Sequence, residues 1–104
     1  TPFHYAVYYG HLDLCKLFME NLEDKFPKNE NGETPLHLAA ERGFLDICKY
    51  IMERSDEKSP VDDFGNTPLH LAVENRHFDV CDYIIRNNDH GPYAIALMDG
   101  FFVR

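Results

Sequence analysis

Apolar residues fall into short clusters along the chain, separated by polar stretches, and the clusters come in pairs. The clearest pair opens at Pro35. Leu36, Ala39 and Ala40 recur at the three-to-four-residue spacing of a helix face, on a segment only about two turns long. After Gly43, the residues Leu45, Ile47, Cys48, Tyr50, Ile51 and Met52 supply a second, more apolar helical segment. The punctuation suits two antiparallel helices. Thr34 is a good N-cap because its hydroxyl can accept from an otherwise unpartnered backbone N–H. Pro35 then stands at the first helical position, where its fixed φ helps and its missing N–H costs nothing. Gly43 is expected to end the helix at positive φ. Small alanines let the helices approach closely, but so short a pair is unstable alone and must share a core with neighbours.

The neighbours are visible as internal repetition. Thr1-Pro2-Phe3-His4 returns as Thr34-Pro35-Leu36-His37 and as Thr67-Pro68-Leu69-His70, each step being 33 residues. Cys15, Cys48 and Cys81 keep the same step, as do Asp13, Asp46 and Asp79, and Leu12, Leu45 and Phe78. Between the helix pairs lie polar segments, Glu20 to Glu33 and Glu53 to Asn66, with turns expected at Asn31-Gly32 and Phe64-Gly65.

These motifs resemble the ankyrin repeat, whose signature is T-P-L-H-x-A and whose period is 33 residues. The segment NGETPLHLAAERGFLDICKYIMER, residues 31–54, follows that pattern almost position for position. The resemblance is strong from residue 1 to about residue 89. It implies an all-α repeat solenoid, in which stacked helix-turn-helix units are joined by short β-hairpin fingers. The chain then reads as one domain over residues 1–104, with repeats at about 1–33, 34–66 and 67–90 and a partial fourth at 91–104.

The fourth unit needs a deletion. GPYAIALMDGFFVR, residues 91–104, aligns under TPLHLAAERGFLDI, placing Pro92 on Pro35, Ala96 on Ala39 and Gly100 on Gly43. From Thr67 to Gly91 is 91 − 67 = 24 residues, so 33 − 24 = 9 are missing, about the length of a finger. A helix over 92–98 is expected. A rival register keeps the period and makes Asp99-Gly100 a finger turn, but it leaves Tyr93 to Met98 as an apolar finger in solvent.

Composition narrows the function. A net charge of −8 with only ten scattered Lys and Arg argues against nucleic-acid binding. No apolar run is long enough to cross a bilayer. The chain opens directly on a motif without an initiator Met, which reads as a fragment or processed form. Equivalent cysteines on helices stacked about 8–10 Å apart are too distant for disulfides. Three unpaired thiols suit a reducing, intracellular setting, with the cytoplasm favoured.

Candidate chemistry is thin. His11 with Cys15 and His77 with Cys81 are i, i+4 pairs, yet two ligands per pair make a poor zinc site, and Phe44 interrupts the series. There is no Gly-rich phosphate loop and no nucleophile on a strand-to-helix elbow. No catalytic residue, cofactor or metal is expected. The resemblance implies structural roles for His4, His37 and His70, which would hold the turn and the adjoining finger. It also implies no asparaginyl hydroxylation, because the corresponding positions are Phe26, Ser59 and Pro92.

What the resemblance does imply is a protein partner, bound on the concave face by the first helices and the fingers. The matching positions are Tyr8, Tyr9, Glu41, Arg42, Glu74 and Asn75 on the helices, with Glu33, Asp63, Phe64 and Asn66 in the fingers. Tyr8 and Tyr9 are natural anchors, since tyrosine buries large area at little entropy cost. An upstream repeat would cover the same aromatic edge, where Phe3 and Tyr5 also replace leucines. The acidic surface predicts a basic or mixed partner and binding weakened by salt. The alternative is a structural spacer within a larger multi-repeat protein (a channel, adaptor or microbial effector), monomeric or weakly self-associating through its terminal repeats. Arg76 stands where the other repeats have Gly10 and Gly43, so local strain or a different helix end is expected there.

Overall fold

A computed structural model describes residues 1–21, 27–55 and 59–87 of the chain. Among these described residues there are six helices: α1 (Pro2–Tyr8), α2 (Leu12–Asn21), α3 (Pro35–Arg42), α4 (Leu45–Glu53), α5 (Pro68–Glu74) and α6 (Phe78–Asn87). Each consecutive pair packs on itself. The first members stack as α1, α3, α5, and the second members as α2, α4, α6. The expected fourth unit, with its helix over 92–98, lies outside the described residues.

Thr34 and Thr67 cap α3 and α5 through their hydroxyls, which accept from the backbone N–H groups of His37 and His70. Those histidines return the favour. Nδ1 of His37 accepts the Thr34 N–H at 3.0 Å, which leaves Nε2 to donate to the Asn66 carbonyl at 2.9 Å. His4 likewise reaches the Glu33 carbonyl at 2.7 Å. One imidazole thus ties the cap of one repeat to the residue just before the cap of the next. The periodic aspartates have a simpler job, since Asp13, Asp46 and Asp79 lie in the first turns of α2, α4 and α6, where negative charge suits the helix dipole.

The core runs between the two layers. Ile47, Cys48, Ile51 and Met52 of α4 are buried, as are Val80, Cys81, Ile84 and Ile85 of α6, against the alanines and leucines of α3 and α5. All three cysteines are free and buried, and burial pushes the thiols of Cys15 and Cys81 up to about 11 and that of Cys48 higher still. These are packing residues, poorly disposed to act as thiolates. On the outer layer, Lys16 lies 5.5 Å from the Tyr50 ring and Lys49 lies 5.6 Å from the Tyr83 ring. That is one cation–π contact repeated a repeat further on.

The inner helices end in the same turn. His11, Phe44 and His77 donate backbone N–H bonds to Ala6, Ala39 and Ala72, and the residue before each has positive φ: Gly10 at 74°, Gly43 at 78° and Arg76 at 61°. The expected strain at Arg76 is therefore present; α5 ends one repeat position earlier than α3, as α1 does, and the turn that follows is the same in all three.

No strand is found among the described residues, so the expected β-hairpin fingers are not shown there, and residues 22–26 and 56–58 of the connecting segments lie outside the described residues. The turns at Gly32 and Gly65 are present, with φ of 75° and 82°. Asn29 and Asp62 organise them. The Asn29 side-chain oxygen accepts from the N–H groups of Asn31 and Glu33, and the Asp62 carboxylate accepts from those of Phe64 and Asn66. Side chains therefore take donors that a strand ladder would otherwise use. The two loops also touch, the Asp63 N–H donating to the Asn31 carbonyl at 3.0 Å.

Candidate functional site

Residues that pack cannot also recognise a partner, so exposure along α1, α3, α5 and the loop tips is the first discriminator. Tyr8, Tyr9 and Phe64 are large apolar groups left in solvent, Phe64 with 76% of its surface exposed. Arg42, Asp63, Glu74 and Asn75 are exposed, and Glu33, Glu41 and Asn66 are half-buried. Several of these carry local duties. The Glu33 carboxylate accepts from the Asn29 amide, the Asn66 N–H is held by Asp62, and the Asn75 amide donates to the Leu71 carbonyl at 2.8 Å.

Tyr8, Tyr9 and Arg42 come together. The two tyrosine rings meet edge to face at 5.1 Å between centroids, and the Arg42 guanidinium lies over the Tyr8 ring at 4.3 Å. Glu41 sits in an acidic setting. Burial pushes its carboxyl up, and Glu33 and Glu74 act in the same direction against the pull of Arg42. Glu41 and Glu74 occupy the same repeat position, one on each of two neighbouring inner helices.

A groove of about 270 Å³ lies beside this group, lined by Thr1, His4, Tyr5, Tyr8, Asn29 and Leu38. Tyr5 is the residue the sequence did not nominate. It stands where Leu38 and Leu71 stand in the next repeats, yet it is 68% exposed while they are 8% and 7% exposed. The signal was present in its replacement of a leucine by a side chain with a polar end. Its exposure required the structure, because Phe3, which also replaces a leucine, is buried.

A family model described as ankyrin repeats, in three copies, matches residues 1–94. The chain belongs to the ankyrin repeat family. No curated protein matches it. Ankyrin repeats generally mediate protein–protein interaction and are generally not enzymes. In this ankyrin chain, no group of three or more metal-ligating side chains is found among the described residues. The i, i+4 pairs are otherwise occupied. Cys15 and Cys81 face the core, and the His77 ring donates to the Glu41 carbonyl at 2.9 Å. No helix among the described residues is long and apolar enough to cross a membrane.

Proposed function

We propose that this chain is a non-catalytic interaction module that holds a partner protein against its inner helices and loop tips. The observation that carries this reading is the exposure of Tyr5, Tyr8, Tyr9 and Phe64 at the first inner helix and a loop tip, against a single exposed aromatic, Phe78, on the described outer helices. Large rings left exposed to water are what a recognition surface needs. The acidic groups at Glu33, Glu41, Asp63 and Glu74 suit a partner of basic or mixed charge, and make nucleic acid an unsuitable ligand. Unpaired buried thiols favour an intracellular setting, with the cytoplasm the simplest case. The whole of residues 1–104 is taken as one domain of stacked repeats, with 91–104 a shortened fourth unit.

Replacing Tyr8, Tyr9, Glu41 and Glu74 together with alanine should abolish affinity capture of the partner from lysate and leave the helical circular dichroism unchanged. Capture that survives this replacement removes the assignment of the face.

A second reading has its own observation. Leu14 is 41% exposed, whereas Ile47 and Val80, its equivalents in the next repeats, are fully buried. With Leu17 and Tyr5 it forms an open edge suited to a spacer that stacks on another unit. Under that reading, capture would be indifferent to the four replacements and sensitive to Leu14→Glu.

A further inference from the structure

The groove beside Tyr8 has an unusual combination of walls. Two exposed phenol rings, Tyr5 and Tyr8, flank it, and the nearly buried Leu38 lies beneath them. Asn29 forms the opposite side and holds the Glu33 carboxylate at 3.0 Å, which sets a negative charge at the rim. Glu41 follows Leu38 by three residues on α3 and so lies on the same side of that helix. The groove thus has an aromatic and aliphatic side (Tyr5, Tyr8, Leu38), a polar side (Thr1, His4, Asn29) and carboxylates near its edge. An aliphatic side chain would fill it and leave the carboxylates without compensation. A long side chain that is apolar along its stem and cationic at its tip satisfies both.

The molecule supplies such a group itself. The exposed guanidinium of Arg42 lies 4.3 Å from the Tyr8 ring centroid, and it makes no ion pair among the described residues. The Tyr8 ring therefore already receives a guanidinium in the free protein. Arginine suits this setting better than lysine, because its planar head can stack on a ring and still donate two bonds to a carboxylate.

We infer that the Tyr5–Tyr8 groove is the seat for an arginine side chain of the bound partner, with Arg42 holding part of that seat when no partner is present. The inference rests on the interaction reading above and adds the chemistry of its anchor. The arriving arginine lays its stem between the two phenols over Leu38, and its head meets Glu33 and Glu41. Arg42 swings away from the Tyr8 ring into solvent, at little loss, since it leaves no ion pair behind.

The test uses a blocked alanine pentapeptide with a central arginine, and the same peptide with citrulline, which keeps the shape and removes the charge. Each is titrated into the full chain while the tyrosine ring signals are followed by NMR. The arginine peptide should shift the Tyr5 and Tyr8 signals saturably, and citrulline should bind at least about fivefold more weakly. Arg42→Ala should tighten binding. Tyr5→Leu, which installs the residue that the next two repeats carry and so keeps the fold, should weaken it. Equal binding of the two peptides, weaker binding to Arg42→Ala, or shifts indifferent to Tyr5→Leu would overturn the inference, the last showing mere adsorption on an acidic surface. Partner capture that survives Tyr5→Leu but is lost in the fourfold variant would remove this anchor and leave the interaction reading standing.

Discussion

Gly10, Gly43 and Arg76 occupy one repeat position and turn the chain at the same point, but their surroundings differ. A side chain at Gly43 would be strained by its φ of 78°, and its Cβ would also lie 2.5 Å from Nδ1 of His77. That histidine cannot easily move, because its other ring nitrogen is bonded to Glu41. Gly65, with φ of 82°, has open space around the same position. Gly65→Ala should therefore cost only the conformational penalty, about 1 kcal/mol, whereas Gly43→Ala should cost roughly 2–4 kcal/mol. Arg76→Gly should gain about 1 kcal/mol by releasing strain already present. Urea denaturation of the three variants checks the order, and a Gly43→Ala no worse than Gly65→Ala would contradict it. The positive φ at Gly43 and the strain at Arg76 were readable from the sequence, because three aligned copies expose the odd residue. The His77 contact was not, since it joins two repeats in space.

Among the elements, the loops and caps are coupled through histidine. His4 bridges to the Glu33 carbonyl from the first repeat and His37 to the Asn66 carbonyl from the second. Burial lowers the pKa of His4 below its ordinary value of 6.5, outweighing the Glu33 carbonyl and carboxylate, and the adjacent amino terminus pushes the same way. The sign follows directly. The unfolded chain takes up the proton more readily than the folded one, so stability present above pH 6.5 is lost as the pH falls through the lower folded value. Thermal unfolding of wild type against His4→Gln, which cannot take up a proton, should show the wild type losing more stability between neutral pH and pH 5. Parallel curves would contradict the coupling. Helix pairs, caps and the histidine bridges of the first two repeats were legible in the sequence because a periodic motif restates its local chemistry, whereas His70 shows only its bonds to Thr67 among the described residues. Strands in the fingers were expected and are not found among the described residues. At the described turns the side-chain oxygens of Asn29 and Asp62 accept the backbone N–H bonds, and a pattern of apolar positions contains no trace of that.

At the scale of the whole molecule, a continuous core leaves the recognition chemistry on what packing does not consume. Positions on the inner helices follow the repeat, so Tyr8, Glu41 and Glu74 form one row and Tyr5, Leu38 and Leu71 another. Tyr8 and Tyr9 could be nominated from sequence as departures from the usual residues at free positions. Tyr5 could not, because its row is buried in the next two repeats, and Arg42 over Tyr8 is a contact between residues 34 positions apart. The central claim is that a partner lies against the inner helices rather than the outer ones. It is tested most directly by placing a photo-crosslinking benzophenone side chain at Tyr9 in one preparation and at Asp82, exposed on α6, in another. A partner adduct from position 9 and none from position 82 is the predicted result; an adduct from position 82 alone would contradict the account.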